Sequence, residues 1–152
     1  MPAKKAKTVT EPDIPSLCNC TKVRRAARTL TRFYDECIAE SGVKITQYSL
    51  LGYLKHRGPK TMLELADLMA MDRATVGHNL RPLERDGLVT IEVSEKDKRA
   101  RIVSVTKKGL ECITAGRPGW DRAQAAFDRA FGAAAAENLR ETMDTVVDVE
   151  LA

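Results

Sequence analysis

From Leu17 to Glu40 the apolar residues fall at Val23, Ala26, Ala27, Leu30, Phe33, Tyr34, Cys37 and Ile38, spaced by threes and ones. That is one stripe of an amphipathic helix, and Ser41-Gly42 supplies a C-cap glycine to end it. Thr46 can cap a second helix carrying Tyr48, Leu50, Leu51, Tyr53 and Leu54, which Gly58-Pro59 closes. Thr61-Met62-Leu63-Glu64 has the form of a capping box, and a short helix with Leu65, Ala66 and Met69 inward follows it. Asp72 can cap a fourth helix running to Asp86 and stopped by Gly87, with Ala74, Leu80 and Leu83 inward and Pro82 bending its second half.

The period then changes from helical to alternating. Residues 88–93 and 101–105 each predict a strand, and the charged stretch Ser94 to Ala100 makes them a hairpin. Thr106 can cap a long helix through Leu110, Ile113, Trp120, Ala123, Phe127 and Phe131 to Gly132. Pro118-Gly119 predicts a kink or a split in it. A last helix over about 134–149 carries Leu139, Met143, Val146 and Val147.

The predicted fold is therefore mainly α: a winged helix-turn-helix with a two-stranded wing hairpin, flanked by N- and C-terminal dimerisation helices. The length of 152 residues suits one domain. The expected organisation is a flexible basic arm over residues 1–15 and a single domain over 16–152. Within it, 46–106 form the DNA-binding lobe, and 17–41 and 107–150 the dimerisation helices. No apolar run approaches the ~18 residues a membrane span needs. With no apolar stretch behind the basic start, a cytoplasmic location is expected.

Charge sharpens this picture. The net excess is only +4, from 25 Lys and Arg against 21 Asp and Glu, but the signs are segregated. Lys22, Arg24, Arg25, Arg28 and Arg32 stand together without an acid, and 96–108 is basic apart from Asp97. The segment 137–150 is acidic but for Arg140. Such segregation can mark an anion-binding face. In a helix-turn-helix the second helix enters the major groove, so Arg73, Thr75, Val76, Gly77, His78, Asn79 and Arg81 are the candidate groove-facing residues. Thr61 and the wing residues Lys98, Arg99 and Arg101 join them. Asn can bond adenine in bidentate fashion and Arg guanine, while the wing tip can reach phosphates or the minor groove.

No Ser-His-Asp order, phosphate loop or paired-carboxylate pattern appears, so no catalytic residue is expected. Four cysteines without a CxxC pair, and two distant histidines, give no metal site and no cofactor. The enzymatic alternative is a thiol-based, peroxide-reactive protein built on Cys20. The other alternative is a winged helix used only for protein contacts.

The series Thr61-x-x-Glu64-Leu65-Ala66, Asp72-Arg73-Ala74-Thr75-Val76 and Leu83-Glu84-Arg85-Asp86-Gly87-Leu88-Val89 resembles the MarR family of bacterial regulators. The wing Asp97-Lys98-Arg99-Ala100-Arg101, followed by Val105-Thr106-Lys107-Lys108-Gly109, is similar to that family's wing signature. The resemblance covers about residues 17–150. It implies a homodimer, with Arg99 entering the minor groove and Asp97 bracing the wing. It also implies a palindromic double-stranded DNA operator and repression relieved by a small aromatic molecule or an oxidant.

Two switches fit the residues. Arg28, Tyr34, Tyr53 and Trp120 can line an effector pocket between the dimerisation helices and the lobe. Cys18 and Cys20 start the first helix beside Lys22, Arg24 and Arg25, where the helix end and the cations favour thiolate. With Thr31-Arg32-Phe33-Tyr34 aligned on the organic-hydroperoxide regulators of the same family, Cys20 falls at their reactive cysteine and Tyr34 at a supporting tyrosine. Arg24 and Ile45 stand where those proteins place further tyrosines. Cys37 and Cys112 read as small buried residues.

Overall fold

The computed structural model describes residues 13–151. The arm expected over 1–15 lies mostly outside them. Its end instead starts a helical turn, α1 (Ile14–Leu17), with Pro15 in the first turn. There follow α2 (Asn19–Cys37), α3 (Ile45–Arg57), β1 (Lys60–Thr61), α4 (Met62–Met69), α5 (Arg73–Arg85), β2 (Val89–Val93), β3 (Arg101–Val105), α6 (Lys107–Phe131) and α7 (Ala133–Asp148). Among the described residues no helix is long and apolar enough to cross a membrane. Contacts divide the chain into a unit ending at Leu30 and a unit beginning at Thr31, and α2 supplies residues to both.

In the first unit the start of α2 is capped by sulfur: the Thr21 backbone N–H donates to Cys18 Sγ at 3.4 Å. Thr29 donates its hydroxyl to the Arg25 carbonyl. No residue of α1 or α2 is buried.

In the second unit α2 ends at Cys37, three residues short of the sequence expectation. A 3-10 turn, Ala39–Ser41, completes the exit, and Gly42 closes it at φ 76°, where side chains are strained. Thr46 does not cap α3. The helix starts at Ile45, whose N–H donates to Asp35 Oδ1 at 2.7 Å, and the Lys44 N–H donates to Gln47 Oε1. The cap comes from a carboxylate ten residues upstream, out of reach of local pattern reading.

The core is one cluster from α3, α4, α5, the sheet and α6. Leu50, Leu51, Leu54, Leu65, Val76, Leu80, Leu83, Val89 and Val103 are fully or almost fully buried in it. Each such side chain contributes about 1.5–3 kcal/mol. Ala74 is exposed; Val76 takes the inward place expected for it. The wing hairpin pairs Val89 with Val105, Ile91 with Val103 and Val93 with Arg101. A third strand unseen in the sequence, β1, pairs Lys60 with Val103 and Thr61 with Ile102, giving the order β1-β3-β2. Two residues are too few to show an alternating pattern.

Of the kink or split expected at Pro118-Gly119, the split does not occur: α6 is one helix of 25 residues with Pro118 inside it. The glycines serve close packing instead. A Cβ on Gly119 would stand 1.9 Å from the Cys37 carbonyl oxygen, and one on Gly116 2.5 Å from the Tyr48 ring. Tyr48 anchors the same contact by donating its hydroxyl to the Ile113 carbonyl at 2.9 Å. Gly119→Ala should therefore destabilise the protein by about 3 kcal/mol, the upper range for overpacking. Gly52→Ala, with no atom within 4 Å of the added carbon, should stabilise α3 by about 1 kcal/mol. Urea unfolding of the two variants checks this; equal effects would refute the packing role of Gly119.

Candidate nucleic-acid interface

Two capped helices and a braced hairpin form one face. At α4 the Thr61 hydroxyl accepts the Glu64 backbone N–H at 3.1 Å, and the Glu64 carboxylate accepts the Thr61 N–H at 2.7 Å. This reciprocal box satisfies two of the N–H groups that a helix start leaves open. The backbone bond from Thr61 holds the Glu64 carboxyl below its usual range. At α5 Asp72 Oδ1 accepts the Thr75 backbone N–H at 2.7 Å, and Oδ2 accepts the Thr75 hydroxyl at 3.0 Å. Those two bonds hold the Asp72 carboxyl low as well, the backbone N–H contributing most.

The wing tip is folded on side chains. Ser94 Oγ accepts the N–H groups of Lys96 and Asp97. Asp97 Oδ1 accepts the Arg99 backbone N–H at 3.0 Å and its Nε at 3.4 Å. Asp97 thus ties the wing tip to Arg99 through both backbone and side chain. The Arg99 side chain is 94 % exposed beyond it.

Between these elements lies a cleft of about 310 Å³ lined by Thr61, Met62, Leu63, Arg73, Asp97, Arg99, Ala100 and Arg101. Four of the predicted contact residues, Thr61, Arg73, Arg99 and Arg101, converge there from three separate elements. His78, Arg81 and Lys98 are exposed on α5 and the wing tip. Asn79 is half-buried and gives an amide N–H to the Thr75 carbonyl at 2.9 Å, leaving its oxygen uncommitted. Gly77 is half-buried with only Met62 Cε near its missing side chain, at 3.8 Å. Val76 is a correction: it is fully buried in the core and cannot touch a groove. The α5 stripe runs Val76, Leu80, Leu83: the last two are as the sequence leads one to expect, and Val76 stands in place of Ala74, two residues further on. Met62 and Leu63 were not anticipated as lining residues. Only the capping box, which fixes them as the first two helical positions, could have pointed to them.

Three of the proposed effector residues have partners of their own. Tyr53 lines a cavity of about 510 Å³ with Ser49, Gly52, His56, Leu68 and Met69, and Arg57 lies 4.9 Å over its ring. Trp120 packs against the core under the Arg117 guanidinium. Tyr34 donates its hydroxyl to Gln124 Oε1, and burial raises its pKa. Arg28 is an exposed residue of the first unit.

Among the cysteines, Cys20 is exposed and Cys18 half-buried. Hydrogen bonds from the Thr21 hydroxyl and backbone lower the Cys18 pKa. Cys112 is buried, donates to the Ser41 carbonyl and is pushed up by desolvation. Cys37 is half-buried. Among the described residues no three His, Cys, Asp or Glu side chains gather as metal ligands.

Residues 41–100 match the model of the MarR family. The organic hydroperoxide resistance transcriptional regulator of Bacillus subtilis is 26% identical over 90 residues, 59% of this chain. The matched chain spans 61% of that relative's length, short of two thirds. The structure of the M. tuberculosis transcriptional regulator MosR in complex with DNA is 32% identical. It covers 86% of this chain and 93% of its own, with a TM-score of 0.78. The PcaV regulator of Streptomyces coelicolor, solved with its natural ligand, shares the fold at 18% identity, covering 93% of this chain and 99% of its own, with a TM-score of 0.80.

The Asp72 cap gives a pH expectation. A carboxyl whose folded pKa is depressed stabilises the fold above its unfolded pKa, near 4, and that stability is lost as pH falls through the lower folded value. Asp72→Asn keeps an oxygen acceptor but does not titrate there. Its melting temperature should fall less steeply than the parent's between about pH 4 and pH 2; parallel slopes by circular dichroism would show the cap to be energetically silent.

Proposed function

Because the chain belongs to the MarR family of winged-helix regulators, we propose that it is a sequence-specific, DNA-binding transcription regulator that acts as a homodimeric repressor on a palindromic operator. The observation that carries this reading is the cleft that gathers Arg73 with the wing residues Arg99 and Arg101. A guanidinium cluster beside a capped helix matches what a duplex offers: phosphates outside, base edges in the groove. The DNA-bound M. tuberculosis relative supports the same use of the fold.

The dimer rests on α7. Leu139, Met143, Val146 and Val147 follow helical spacing and are 37–63 % exposed. A stripe of that kind favours a partner surface, and a two-fold pair would set two recognition helices about one DNA turn, roughly 34 Å, apart.

Selection of bound duplexes from a random pool should yield an inverted repeat. Arg99→Ala should weaken binding of the selected duplex roughly tenfold, with the dimer intact, and reduce the salt slope by about one. Unchanged affinity would remove the wing from the interface.

For release of the DNA we favour oxidation at the Cys18–Cys20 segment, with a small aromatic effector as the other route. The exposed Cys20 thiol, its neighbour Cys18 with a lowered pKa, and the hydroperoxide-resistance relative support the first. A hydroperoxide would oxidise the Cys20 thiolate to a sulfenic acid and leave as the alcohol. Cys20→Ser should retain DNA binding and lose release by organic hydroperoxide in a mobility-shift titration. A variant released like the parent would exclude this cysteine as the sensor.

A further inference from the structure

The cleft contains a side chain that neither cations nor capping explains. Leu63, the second residue of α4, is 57 % exposed among Arg73, Arg99 and Arg101. Its neighbour Met62 is half-buried and reaches toward α5, its methyl 3.8 Å from the point where a Gly77 side chain would begin. Gly77 thus leaves Met62 room against the recognition helix, and the capping box holds α4 so that Leu63 follows on the open side. An isolated exposed leucine is ordinary on a protein surface. Here it lines the same cleft as three guanidinium groups that would hold one anionic strand. In a duplex the base faces are hidden by stacking, and the apolar surfaces left within reach of a side chain are the deoxyribose face and the thymine methyl.

We propose that Leu63 is a positioning residue that packs its side chain on the apolar part of the DNA strand whose phosphates Arg73, Arg99 and Arg101 hold. The inference rests on the regulator reading and adds to it an uncharged contact from the first helix of the motif. The contact excludes water beside the phosphate clamps and fixes how far the strand can slide along the cleft. A cationic cleft alone leaves that coordinate loose.

The test is fluorescence anisotropy of the full chain on its selected duplex over a range of salt. Leu63→Ala should lose about fivefold in affinity, as expected for losing part of a leucine's buried surface. The salt slope should not change, because no ion is displaced. The residue is exposed, so the melting temperature should stay at the parent value. Leu63→Lys is the second arm. If the position faces solvent or phosphate, lysine tightens binding and steepens the slope by about one, which overturns the proposal. If it faces an apolar surface, lysine binds no better than alanine. Duplexes with deoxyuridine for thymidine locate that surface. Loss of the Leu63 effect on them assigns the thymine methyl, and its persistence assigns the deoxyribose. Unchanged affinity of Leu63→Ala beside a weakened Arg99→Ala overturns this contact and leaves the regulator reading intact. A parent chain that holds no duplex overturns both.

Discussion

The spacing between α5 and the wing hairpin depends on one knot of backbone where α5, β2 and α6 meet. Gly87 leaves α5 at φ 75°, a conformation that costs a residue with a side chain about 1 kcal/mol or more. Its carbonyl accepts the Thr106 hydroxyl at 2.6 Å, and the next carbonyl, of Leu88, accepts the Thr106 N–H at 3.0 Å. The same threonine hydroxyl caps α6 by accepting the Gly109 N–H. Gly109 has no room for a side chain, since a Cβ would lie 2.2 Å from the Leu88 oxygen. Lys108 closes the knot by donating to the Asp86 carbonyl at 2.8 Å. The end of the recognition helix, the first wing strand and the start of α6 are thereby joined through adjacent atoms. A displacement of α6 at this end has to carry α5 and the hairpin with it, so the cleft keeps its shape while its orientation can change.

The charge of the cleft follows from how the acids around it are employed. Glu64 is turned onto the Thr61 N–H, Asp72 onto Thr75, and Asp97 onto the Arg99 backbone. Each carboxylate is committed to backbone donors of the element it shapes. Among the described residues, Arg99 alone of the cleft's arginines has an acid within ion-pair distance, Asp97 at 3.4 Å with both side chains largely exposed, and such a pair is worth about 0–1 kcal/mol. The acids thus build the local structure while leaving the guanidinium groups electrostatically available. An anionic strand entering the cleft need displace little besides water and counterions.

Much of this was legible before any coordinates. Thr61 with Glu64, and Asp72 before an amphipathic run, announce their helices because N-cap chemistry acts within three residues. The hairpin was legible because alternation shows within five residues. What the chain hides is non-local. Asp35 capping α3 joins residues ten apart, and β1 exists only because β3 offers it an edge. Pro118-Gly119 reads locally as a break and is globally a contact, since Gly119 must fit under the Cys37 carbonyl. Among the site residues the arginines and Asp97 were legible by type and order. Val76 reads as groove-facing because the first turn of α5 offers both Ala74 and Val76 as inward residues beside Leu80 and Leu83, and only the core decides between them. Aromatic type says nothing about which cavity a ring enters, so Tyr53 beside His56 and Met69 is a placement that only the folded chain reveals.

A single cleft meets only a short stretch of duplex, and a few guanidinium contacts at physiological salt give weak, sequence-tolerant binding. Selectivity on the proposed reading therefore has to come from doubling the contact and fixing the distance between the two copies. The chain carries the means for the first step in the exposed stripe of α7, which packs on α6 within its own unit and still leaves Met143, Val146 and Val147 outside. The second step falls to α6, because it alone is continuous from the knot at Thr106 to the turn at Gly132 that leads into α7. An unbroken 25-residue helix, closely packed at Gly116 and Gly119, makes the position of one end depend on that of the other. On the proposed reading, a chemical change at α7 would then reach the cleft as a change in its placement on the duplex, with the arginines and their braces unaltered.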